Sequence, residues 1–133
     1  MTNDPERDID LLTASLRADA ADGHVFLQAL AVKLEGALPG QVHIERGGGL
    51  FSHENPVKAI EVELGEHAFR VHDRGHGRLE GQRQRVVRGI VLKSENLSLD
   101  QWIAELAAEL GRLAASSERG REALERLLLK GTA

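Results

Sequence analysis

Apolar residues recur every three to four positions over the first forty residues, then every second position, then every three to four again. That change of period marks a passage from helix to strand and back. Ile9, Leu12, Leu16 and Ala20 form a helical stripe, with Asp8, Asp10 and Arg17 off it and Asp19 at its edge. Asp4-Pro5 suits a helix start, since Asp caps and Pro fits the first helical position. Asp22-Gly23 breaks or kinks the stripe. Phe26, Leu27, Leu30, Leu34 and Leu38 then line a second helical face, which Pro39-Gly40 ends.

From Gln41 the alternation of Val42 and Ile44 with His43 and Glu45 predicts a first strand, followed by a loop over Arg46–Pro56. Val57–Asp73 reads as a hairpin, because Gly65-Glu66 suits a two-residue turn with Gly first. That turn fixes the register. It sets Leu64 opposite His67, Val62 opposite Phe69, Ile60 opposite Val71 and Lys58 opposite Asp73 on one face. On the other face Glu63 meets Ala68, Glu61 meets Arg70 and Ala59 meets His72. A turn over 74–78 leads to a fourth strand, Gln82–Lys93, polar on both faces at first. Its second half, Val86–Leu92, is apolar on both faces apart from Arg88. A strand of that kind asks for cover on both sides. The helices supply one cover, and a second subunit is the expected source of the other.

Ser98-Leu99-Asp100-Gln101 fits a capping box at the start of a long C-terminal helix over 98–129. Ile103, Leu106, Leu110, Leu113, Leu124 and Leu127 make its seam, which Ser117 and Gly120 interrupt. Small residues there either kink the helix or admit a close crossing by another one. The expected fold is therefore a single α+β domain over 1–133. It has an N-terminal helical segment over 5–38, a four-stranded antiparallel meander over 41–93, and a long C-terminal helix. The helices pack on one sheet face.

Composition narrows the chemistry. With three Phe, one Trp and no Tyr the core must be aliphatic, and few rings are available to stack on bases. The absence of Cys excludes disulfides, thiolate catalysis and Cys-based zinc sites. The segment Met1–Glu6 is acidic and polar rather than a secretory signal, and no apolar run approaches the ~20 residues that span a bilayer. A cytoplasmic protein without membrane partners is expected. The net charge of −4 is unevenly spread. Residues 1–40 carry seven acids against three bases, whereas between 74 and 93 six cations (Arg74, Arg78, Arg83, Arg85, Arg88 and Lys93) meet only Glu80.

No constellation makes an enzyme the expected reading. His67 and His72 alternate onto opposite strand faces, leaving only His72, Asp73 and His76 to converge, too few and too loosely placed for zinc. Ser52-His53-Glu54 are neighbours on a loop and cannot line up as a hydrolytic triad. Gly47-Gly48-Gly49 lacks the helix start and Lys of a phosphate-cradling loop. No cofactor, metal or catalytic residue is assigned. The expected function is a non-enzymatic protein-binding or assembly module, acting as a homodimer or on another protein. Its candidate contacts are Val87, Val91, Leu124, Leu127, Leu128 and the loop residue Phe51. The alternative is a nucleic-acid-binding protein whose Arg78, Arg83 and Arg85 meet phosphates. Against it, Glu45, Glu61 and Glu63 are available to neutralise these arginines across the sheet.

Overall fold

Nine elements follow one another along the chain in a computed structural model that describes residues 5–47 and 56–131. Two helices, α1 (Pro5–Asp19) and α2 (Gly23–Ala37), precede five strands. The strands are β1 (Val42–Arg46), β2 (Val57–Leu64), β3 (His67–Asp73), β4 (Leu79–Val87) and β5 (Ile90–Leu97). Two more helices, α3 (Leu99–Ser116) and α4 (Glu118–Gly131), close the chain. The fold is α+β, and the strands form one antiparallel sheet in the order β1-β2-β3-β4-β5.

The Asp22-Gly23 break is complete. The Asp22 side chain caps α2 by accepting from the His24 and Val25 N–H groups at 3.0 and 3.3 Å. The cap proposed at Asp4 lies outside the described residues. The β2–β3 hairpin takes the register its turn dictates, from Leu64 opposite His67 to Ala59 opposite His72. The pair Lys58–Asp73 falls beyond the last paired rung. Arg70 stands opposite Glu61, but its guanidinium donates instead to Glu45 at 2.7 Å. Ile60, Val62, Leu64, Phe69 and Val71 alternate onto one face and join Phe26, Leu34, Trp102 and Leu106 in a single core. Helices α2 and α3 lie on that face, and α1 and α4 pack onto them. The opposite face is polar, with Glu45, Arg70, Gln82 and Asn96 hydrogen-bonded across strands.

Two expectations need correction. The fourth strand is two strands. Arg88 and Gly89 both have positive φ, 52° and 79°, so the chain reverses there in a two-residue turn of the primed type. Val86–Leu92 is apolar on both faces because it is the two sides of a hairpin tip, not one strand buried between two layers. The argument for a second cover over the sheet falls with it. The long C-terminal helix is also two. Ser117 is extended, with φ −153° and ψ 150°, and its hydroxyl accepts from the Gly120 N–H at 3.0 Å as the cap of α4. Gly120 is pressed against the Leu113 carbonyl of α3, so its lack of a side chain serves the chain's own turn rather than a crossing partner. The start of α3 is as its letters require. Ser98 and Gln101 make the reciprocal capping box, with Gln101 N–H donating to the Ser98 hydroxyl at 3.2 Å.

Candidate interaction site

The tip and outer edge of the β4–β5 hairpin gather most of the residues singled out by the sequence. Ile90, Val91 and Leu92 are 63, 51 and 58% exposed, and Val86 and Val87 beside them are half-buried. The pairing explains why these residues stand clear of the core. Arg85 pairs with Lys93 and Val86 with Val91, so Leu92 is an extra residue, a bulge in β5. A bulge bends its strand, and the tip beyond it stands exposed.

Below the tip, the inner face changes from apolar to charged at Trp102. This ring is fully buried and lies directly on Gly81, where a Cβ would come within 2.7 Å of it. Phe69 meets it edge-on, with centroids 6.3 Å apart. The indole N–H is buried with no protein group accepting from it. Further along α3, Glu105 and Glu109 stand where the sheet presents Arg83 and His67. Arg83 donates to Glu95 at 2.8 Å and to Glu105 at 3.0 Å. The hydrogen bond to Glu95 raises the guanidinium pKa above its ordinary range, and the same bond holds the Glu95 carboxyl below the usual carboxylate value. Glu109, largely buried, receives Arg112 at 2.6 Å and faces His67 at 3.6 Å. Arg85 reaches Glu66 at 3.5 Å, and Lys93 reaches Glu95 at 3.8 Å. A hollow of about 190 Å³ among His67, Arg83, Arg85, Lys93 and Glu95 remains.

The sequence-predicted site residues therefore separate. Val87 and Val91 lie at the hairpin tip. Leu124 and Leu127 are 2% exposed within the core, and Leu128 packs partly against it, so α4 spends its apolar face inside the chain. Phe51 and the Ser52-His53-Glu54 stretch lie outside the described residues. Arg83 faces the helices, so its carboxylates come from β5 and α3 and not from Glu45, Glu61 or Glu63. Arg78 is exposed in the turn after β3, beside Arg74, which pairs with Glu80 at 2.9 Å. It shares no surface with Arg83. The histidines also disperse: His72 faces Glu80 at 3.7 Å, while Asp73 accepts from the Gly75 N–H and faces His24 at 3.7 Å. No group of three or more metal-ligating side chains occurs among the described residues, and none of their helices is long and apolar enough to cross a membrane.

Sequence reasoning missed β5 as an edge. The Arg88-Gly89 pair was its signal, because a glycine in the middle of an otherwise β-rich run marks a reversal as readily as a strand interior. Comparisons with protein families, with curated proteins and with solved structures each found no match to this chain.

Proposed function

We propose that this protein is a non-enzymatic binding module that assembles as a small homodimer through its β4–β5 hairpin. The observation that carries this reading is Ile90-Val91-Leu92, three consecutive large apolar side chains, each more than half exposed. Leu11 is exposed singly, and Val25 and Val32 stand two turns apart on one face of α2; large aliphatic side chains exposed without a large apolar neighbour in sequence are ordinary on a soluble surface. A consecutive exposed run at a sheet edge is not; it costs solubility unless something covers it. The cations nearby lend little to binding nucleic acid, since Arg83 is held by two carboxylates and Arg85 and Lys93 each have one.

Light scattering on the full chain tests the reading. The wild type is expected at twice the chain mass. The double variant Ile90→Asp with Leu92→Asp is expected at the single mass, with unchanged far-UV circular dichroism. A wild type that stays monomeric up to high micromolar concentration overturns the proposal, as does a variant that is folded and still dimeric.

A further inference from the structure

We infer that the free edge of β5 pairs antiparallel with β5 of a second copy, about a two-fold axis through Ser94, fusing the two sheets into one. The inference rests on the homodimer reading above and says which atoms meet.

Among the described residues β5 pairs with β4 alone, so one side of its backbone is unsatisfied by any strand. The direction of its free groups follows from the ladder. The Val86 N–H donates to the Glu66 carbonyl at 2.6 Å, toward β3. By alternation, Arg85 and Arg83 turn their backbone groups toward β5, where Lys93 and Glu95 are their partners. Ser94 and Asn96 are then the residues whose N–H and C=O point outward. With the axis through Ser94, this residue and its symmetry mate exchange both hydrogen bonds.

Charge selects that register from its neighbours. Opposed residues must share a face, so the axis must pass through a residue rather than between two. Centred on Ser94, the pairing sets Lys93 opposite the other copy's Glu95, and Glu95 opposite the other copy's Lys93. Moved one residue toward the tip, it sets Lys93 against Lys93; moved one residue the other way, Glu95 against Glu95. Opposite charges directly across a ladder stabilise it and like charges destabilise it. Lys93 has room to turn to a second carboxylate, since its side chain is 70% exposed and its own Glu95 is 3.8 Å away. The Leu92 bulge of each copy ends this strict register, so the exposed Ile90–Leu92 run lies just past the paired stretch, next to the other copy's Asn96.

The absence of native cysteine makes the test direct. Directly opposed residues of a hydrogen-bonded pair have Cα atoms about 5.5 Å apart, within disulfide reach. Ser94→Cys in the full chain is therefore expected to form a disulfide dimer under mild oxidation. Asn96→Cys is not, because its copies are offset by four residues, about 13 Å along the strands. Lys93→Glu and Glu95→Lys are each expected to weaken self-association about tenfold, and an equimolar mixture of the two to restore it as a heterodimer. If wild-type chains are dimeric while Ser94→Cys stays uncrosslinked or Asn96→Cys crosslinks as well, this register is wrong and the homodimer reading survives. Two folded single-charge variants that do not recover on mixing also overturn the register. A monomeric wild type removes both.

Discussion

Arg83 lies directly opposite Phe69, on the same sheet face, yet one is charged and the other is core. Two residues earlier along β4, Gly81 leaves room for Trp102, and the indole seals the apolar layer there. Past that seal α3 offers Glu105 rather than another aliphatic side chain, and Arg83 can stay ionised. A window of sequence around Arg83 shows only bases and Glu80, because its partners lie 12 and 22 residues downstream. Charge density along a chain is thus a poor guide to charge density in space. The Arg83–Glu95 bond has a consequence for acid stability. Glu95 titrates below its ordinary value of 4.5, so its contribution is complete above that pH and is lost as pH falls through the lowered folded value. Glu95→Gln is expected to be less stable than wild type at neutral pH. The difference should shrink as pH falls below the ordinary carboxylate value and through the lowered folded one, read from urea midpoints at low protein concentration. A difference that stays constant over that range would show that the carboxylate charge does not matter.

Among the elements, the turn and the register of the β2–β3 hairpin from Leu64–His67 to Ala59–His72 were legible and the β4–β5 hairpin was not, for a physical reason. Gly65-Glu66 separates two clean alternations, and one register satisfies both faces. Around Arg88-Gly89 the flanking residues are apolar on either side, so a continuous strand and a tight reversal share the same letters. Period-two reasoning identifies faces but does not count reversals when both faces read alike. The helices show the complementary case. The seam from Ile103 to Leu127 is real burial, since most of its members are core residues, but it is divided between α3 and α4 and used within one chain. A seam alone does not say whether its partner is the same molecule. Leu127→Ala is accordingly expected to lower folding stability by about 2–5 kcal/mol, whereas Ile90→Ala at the exposed tip should change it by no more than about 0.5 kcal/mol in dilute protein. Denaturation midpoints of the two variants check this. A small effect at Leu127 would return that residue to the candidate contacts.

For the molecule as a whole, what a single sequence conveyed was the layer plan: helices, an antiparallel meander, helices, with one polar sheet face. What it did not convey was which apolar residues remain outside once the layers have closed. That depends on the bulge at Leu92 and on where Trp102 ends the core, both of which are three-dimensional facts. The exposed tip becomes visible only after the seam leucines of α3 and α4 have found their place in the core.

The meander order also bears on how the chain reaches this state. Every strand pairs with its neighbour in sequence, so the sheet is assembled from short loop closures. Helix α1, by contrast, rests on α3, nearly a hundred residues away. Short closures cost less chain entropy than long ones and form early. The hairpins are therefore expected to be present at the rate-limiting barrier and the α1–α3 clasp to follow it. In stopped-flow measurements Val62→Ala should mainly slow refolding, while Leu12→Ala should mainly speed unfolding. The reverse pattern would place the clasp first. On the expected order, native molecules open from the helical side, and the hairpin that we propose joins two copies is among the last parts to be lost.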